Sequence, residues 1–188
     1  MALVHKIQEF LKKKFDELNL KRKEFSRKSG IPYSTVIDIT KGLKLNPSIN
    51  SILKIANYFR CPIDEVIGRN KYITLHSSKD FEFHEITLDE VTANIKHFLK
   101  NKVSNQNINL YKLSIDIGFS NNSLHSFVNS NREQKTLNNQ IIVALADHFQ
   151  ISIDEMVGRI KPTTADNDEA SQQNSMRLLN KTPIVILI

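Results

Sequence analysis

Apolar residues return every three or four positions near the start of the chain, at Leu3, Ile7, Phe10, Leu11, Phe15 and Leu18, with charged residues between them. That spacing predicts an amphipathic helix with one face turned to a core. A second stripe, Ile52, Ile55, Ala56 and Phe59, keeps the same period behind Ser48, a residue suited to cap a helix N-terminus. Pro62 then opens a shorter apolar stretch of Ile63, Val66 and Ile67, which reads as a new short helix. Between the stripes lies KRKEFSRKSGIPYSTVIDITKG, from Lys21 to Gly42. One helix there carries Phe25 inward and ends at Gly30, which can take the left-handed conformation of a tight helix terminus. Ile31 follows as an apolar anchor, and a helix started by Pro32 turns Val36 and Ile39 to the core. Two helices joined by a tight glycine turn make a helix-turn-helix, whose second helix projects outward.

The whole pattern recurs. SINSILKIANYFRCPIDEVIGR, from Ser48 to Arg69, returns as NNQIIVALADHFQISIDEMVGR from Asn138 to Arg159, with Ile52/Ile142, Ala56/Ala146, Phe59/Phe149, Ile63/Ile153, Asp64/Asp154, Glu65/Glu155, Gly68/Gly158 and Arg69/Arg159 identical. Upstream the offset is 88 rather than 90, so Ile7 meets Ile95, Ser26 meets Ser114 and Gly30 meets Gly118. The two extra residues fall in the loop before Asn138, a tolerant place for an insertion. The second copy predicts the same helices: Val91, Ile95, Phe98 and Leu99 behind the capping box Thr87-Leu88-Asp89-Glu90, then Leu113, the Gly118-Phe119 turn, and Leu124 and Phe127 behind Ser120 as N-cap. Ile142, Leu145, Ala146 and Phe149 form its fourth stripe. Ala56 and Ala146 mark places where another helix comes too close for a larger side chain. A period of about ninety residues fits a duplicated compact domain rather than a solenoid.

The 188 residues suffice for two such units, each of a size that folds alone with modest stability. No apolar run approaches the ~20 residues of a membrane span, and no secretory signal opens the chain. Cys61 is the only cysteine, which points to the cytoplasm, and between Phe59 and Pro62 it reads as a small packing residue rather than a reactive thiol. The formal charge of +6 is uneven: residues 1–70 hold 14 Lys/Arg against 7 Asp/Glu, residues 71–159 hold 9 against 10, and residues 160–188 hold 3 against 3. The first copy therefore carries the excess, as a partner of a polyanion would.

Each copy resembles the five-helix Cro/phage-repressor (Xre-like, lambda-repressor-like) helix-turn-helix domain. The residues that carry the likeness are Phe25-Ser26, Gly30-Ile31, Thr35-Val36, Ile39, Gly42, Asn46-Pro47-Ser48, LKIANYF and the closing IDEVIG. The likeness is fuller over residues 3–69 than over 87–159. It implies an all-α fold with a first domain at 1–70 and a second, divergent domain at 87–160, and leaves 71–86 as a linker. Residues 161–188 fall outside the likeness: the polar stretch 161–175 reads as disordered, ahead of an apolar tail. The likeness also implies a sequence-specific regulator of transcription, a repressor, that sets its third helix in the major groove of double-stranded DNA. The positions that would read base edges are Tyr33, Ser34 and Asp38 in the first copy and Asn121, Asn122 and Ser126 in the second. Thr35 and Ser123 stand where a hydroxyl reaches a phosphate or caps the helix. An Asn amide can pair with adenine N6 and N7, and Asp38 can accept from cytosine N4. Ile37, read as exposed, could meet a methyl group.

Lys21, Arg22 and Lys23 open the second helix, where positive charge opposes the helix dipole, so three in a row point to an external anion. Lys41 and Lys44 flank the loop after the third helix and can grip the next phosphate. The second copy has Asn109, Leu110 and Tyr111 in place of the cationic trio and keeps only Arg132 and Lys135 in its loop. That copy either reads a second half-site weakly or has become a pairing surface, which leaves a homodimer open. A protein-interaction or antitoxin-like module is the alternative reading, although it has no need for the Lys21-Arg22-Lys23 cluster.

Residues 70–86, about 17 in number, reach about 60 Å when extended, more than the ~34 Å between half-sites one DNA turn apart. Apolar alternation from Tyr72 to Ile86 around Ser77-Ser78-Lys79-Asp80 predicts a short hairpin. The terminal Pro183-Ile184-Val185-Ile186-Leu187-Ile188 has high β-propensity and reads as a strand added to that hairpin or to a neighbour, or as the start of a further domain. An enzyme is disfavoured: the six histidines show no metal-ligand spacing, no HExxH or CxxC occurs, and no glycine-rich phosphate loop is present. Asp64-Glu65 and Asp154-Glu155 read as acidic residues at helix starts rather than as catalytic pairs. No cofactor, metal, membrane or small-molecule ligand is expected.

Overall fold

The computed structural model describes residues 3–72, 84–130 and 136–160. Ten α-helices account for most of them, and no strand occurs among the described residues. The first five are α1 (Leu3–Glu17), α2 (Arg22–Ser29), α3 (Tyr33–Thr40), α4 (Ile49–Phe59) and α5 (Ile63–Val66). The second five are α6 (Leu88–Gln106), α7 (Leu110–Asp116), α8 (Ser123–Val128), α9 (Asn139–His148) and α10 (Ile153–Val157). Tyr72, where the expected hairpin would begin, closes a single 3-10 turn at Asn70–Tyr72 instead. The rest of that hairpin falls largely on 73–83, and the apolar tail lies in 161–188; both lie outside the described residues.

In the first half, α1 buries Val4, Ile7, Phe10, Leu11 and Phe15. Leu18 is 60% exposed, against expectation, because the helix has ended and Asn19 turns the chain at φ 48°. Phe25 is fully buried and packs within 5.5 Å of the Phe15, Tyr58 and Phe59 rings, which ties α2 to α1 and α4. Ser48 caps α4 by accepting from the Ser51 amide at 3.3 Å. The turn between α2 and α3 is pinned from several sides. Gly30 takes φ 66°, the Ser26 hydroxyl donates to the Ile31 carbonyl at 2.7 Å, and the Lys54 ammonium on α4 donates to the Gly30 carbonyl at 2.8 Å. At the far end of α3, the Gln8 amide on α1 donates to the Thr40 carbonyl at 2.9 Å.

The second half buries the apolar residues of its own stripes: Val91, Ile95, Leu99, Leu113, Leu124, Phe127, Ile142, Leu145 and Ala146. The capping box at α6 is formed, with the Thr87 amide donating to Glu90 at 2.6 Å and the Glu90 amide donating to the Thr87 hydroxyl at 3.2 Å. One departure lies at α8. Ser120 was the expected N-cap, but the helix begins at Ser123 behind Asn122, because residues 121–122 spend themselves in a turn.

One hydrophobic cluster runs through both halves, and they meet at α5 and α10. The contact is reciprocal. Asp64 accepts from the Ile153 amide at 2.9 Å, and Asp154 accepts from the Ile63 amide at 2.7 Å. Arg69 pairs with Asp64 and reaches the Ile151 carbonyl at 3.3 Å; Arg159 pairs with Asp154 and donates to the Cys61 carbonyl at 3.1 Å. Every one of these relations maps onto its mate through the 90-residue offset, so the two halves are related by an approximate two-fold axis. The acidic pairs thus have a sharper role than their own helix starts: each buried aspartate satisfies the first amide of the opposite helix. Burial pushes both carboxyls above their ordinary value, against the pull of the guanidinium beside each.

Candidate nucleic-acid interface

The first turn of α2 is where the expected cations gather. Lys21 precedes the helix in extended conformation, φ −78° and ψ 138°, and no side chain caps the turn. Lys21, Arg22 and Lys23 are all exposed, and no hydrogen bond or ion pair engages their side chains among the described residues, while the Lys21 carbonyl accepts from the Phe25 amide. Glu24 does not neutralise them, because it is engaged by Lys28 at 2.7 Å. The hydrogen bond and charge of Lys28 hold the Glu24 carboxyl below its ordinary value, and Lys28 is raised in turn. A shallow open groove between α1, α2 and α3 is lined by Asn19, Lys21, Arg22, Lys23 and Tyr33, so the trio shares a surface with the start of α3.

On α3, Val36 and Ile39 point to the core, which turns the opposite face outward. Tyr33 is half exposed and Ser34 exposed, while Thr35, Ile37 and Asp38 are half-buried. Ile37 is therefore less open than the sequence implied. The Asp38 backbone carbonyl accepts from Leu43 at 2.8 Å and from Lys44 at 3.3 Å, which folds the following loop back onto the helix. Lys41 stays exposed and Lys44 half-buried at that end, so cations stand at both ends of α3.

The matching surface of the second half is built differently. Asn109, the counterpart of Lys21, turns its own side chain onto the start of α7 and accepts from the Tyr111 and Lys112 amides at 2.9 and 3.2 Å. Amides left open in α2 are thus occupied in α7. Tyr111 stacks on His125 with ring centroids 4.5 Å apart. Asn121 and Asn122 are exposed, but in the turn before α8 rather than on its first turn. Ser123 shares a 2.7 Å hydrogen bond with Ser120, and Ser126 is half-buried. Arg132 and Lys135 lie in 131–135, outside the described residues.

The Helix-turn-helix family (HTH_3) matches residues 11–66, which contain α2, α3 and the turn between them, and no second match covers the later helices. The chain is 44% identical over 72 residues to an uncharacterised HTH-type transcriptional regulator of Rickettsia prowazekii, an alignment covering 37% of this chain and 78% of that protein. A second uncharacterised HTH-type transcriptional regulator, from Rickettsia conorii, aligns at the same identity and length and is covered over 66% of its length. This chain belongs to the HTH-type transcriptional regulators. No solved structure matches it.

The regulator's helix-turn-helix domain is of the Xre type and implies DNA binding, and the family is non-enzymatic. Among the described residues no cluster of His, Cys, Asp and Glu could hold a metal ion, and no helix is long and apolar enough to cross a membrane. Cys61 is buried, and burial pushes its thiol up to about 12, in keeping with a packing residue. Sequence reasoning missed the cap made by Asn109, although an Asn directly before a helix is a strong N-cap signal. It also missed the cross-axis work of Asp64, Arg69, Asp154 and Arg159. Their identity in both copies was the available sign.

Proposed function

We propose that this regulator reads double-stranded DNA sequence-specifically in the cytoplasm and acts as a repressor, with α3 in the major groove and the start of α2 against a phosphate. The observation that carries this reading is the exposed trio Lys21, Arg22 and Lys23 at a helix start that no side chain caps. Free amides and cations at one helix end favour an anion supplied from outside. In this reading Tyr33, Ser34 and Asp38 meet base edges, Thr35 supports the backbone contact, and Lys41 and Lys44 hold the phosphates beyond α3. Residues 1–70 are then the main reading domain, with 71–86 as a linker. Residues 87–160 are a second, divergent helix-turn-helix unit that offers Asn121, Asn122, Ser123, Ser126 and Arg132 to DNA.

Salt dependence tests the reading directly. With about four phosphate contacts, log affinity for duplex DNA falls against log salt with a slope of about −4. Replacing Arg22, Lys23 and Lys41 by alanine flattens that slope by about one for each residue and weakens all sequences alike. Unchanged retention of duplex DNA by the triple variant would overturn the proposal.

A further inference from the structure

Resting on the reading that α2 and α3 hold DNA, we infer that one chain is by itself a complete reader of two adjacent half-sites. It binds a non-palindromic duplex as a monomer, with residues 87–160 in the place of a second subunit. In an isologous pair residue i meets residue j, and j meets i on the other side. That relation is present here inside a single chain. Asp64 and Asp154 exchange acceptors with the Ile153 and Ile63 amides, and Arg69 and Arg159 reach the Ile151 and Cys61 carbonyls. Further contacts join the same two faces without the reciprocity, from Asn46 to Asn138 at 3.0 Å, from Asn139 to the Pro47 carbonyl, and from Arg69 to Asp147 at 2.7 Å.

The face is committed. Both aspartates are fully buried and Arg159 is 1% exposed, and a buried ion separated from its partners is strongly destabilising. Neither α5 nor α10 is therefore left to recruit another chain. The same axis carries α3 onto α8, since each follows the same glycine turn in its own half. Helix-turn-helix dimers meet half-sites about one duplex turn, ~34 Å, apart, and the palindromy of the site mirrors the symmetry of the protein. Here the symmetry is only approximate, and the side chains it relates differ. One end presents Tyr33, Ser34 and Asp38 with an uncapped, cationic α2; the other presents Asn121 and Asn122 with the amides of α7 held by Asn109. The site is accordingly polar in direction, gripped at the first half-site and read by amides, which suit adenine, at the second.

Duplexes selected from a random pool by the full chain provide the test, with native mass spectrometry for stoichiometry and hydroxyl-radical cleavage for protection. The expected result is one chain per duplex and two protected segments about one turn apart, without a palindrome. The double variant Asn121→Ala/Asn122→Ala, confined to exposed positions, then weakens binding by about tenfold and frees only the second segment. Tyr33→Ala acts on the first segment. Two chains on a palindromic site, or protection of a single segment, would overturn the inference while leaving the proposed function standing. Failure of the full chain to select any duplex would overturn both.

Discussion

A single residue can be legible in sequence for its conformation and opaque for its contacts. Gly30 illustrates the first: a tight turn between two helices needs a left-handed residue, and φ 66° follows from that local demand. Arg159 illustrates the second, because nothing local says that a guanidinium will be 1% exposed against the carbonyl of Cys61. Cys61 itself lies between these cases. Its solitude was plain, and its burial raises the thiol to about 12, so the thiolate needed for alkylation is scarce in the folded chain. We expect iodoacetamide to leave Cys61 unmodified under native conditions and to label it at the rate of unfolding. Rapid stoichiometric labelling of the native protein would contradict that packing. At Gly68, with φ 73°, an added Cβ would stand 2.7 Å from Lys6 Cδ, so both backbone and neighbour keep the position glycine.

Helices were read well where their ends carry side-chain signals and less well where turns compete. The Thr87–Glu90 capping box formed as written because its partners are only three residues apart. The Thr87 amide and hydroxyl hold the Glu90 carboxyl below its ordinary value. A depressed carboxyl contributes stability above its unfolded pKa and loses it as pH falls through the folded value. Glu90→Ala should therefore lower the melting temperature at neutral pH and change it little in acid, where wild-type Glu90 is protonated too. An equal loss across the pH range would show that the box adds no charged contact. At α8 the sequence pattern placed Leu124 and Phe127 inward correctly, yet the start of the helix slipped to Ser123. Two consecutive asparagines favour a turn as readily as a first helical turn, and local periodicity does not arbitrate between them.

Across the whole molecule, the halves behave as one body because ions are buried where they meet. Asp154→Ala removes the buried carboxylate that pairs with Arg159 and accepts from the Ile63 amide, a change that costs about 3–5 kcal/mol. Urea unfolding should show this loss, with a single transition in the wild-type chain giving way to separate steps once the shared face is broken. A variant as stable as wild type would mean that the cross-axis bonds carry little. The amino-acid sequence by itself determined the helices, the α2–α3 turn, the likeness of residues 138–159 to 48–69 and the cationic start of α2, since each depends on residues a few positions apart or on plain similarity. Tertiary structure alone decided that the two halves face each other through α5 and α10, and that their acidic residues serve each other's helices. Those outcomes depend on which groups must find partners once water is excluded, and the partners stand some ninety residues away in the chain.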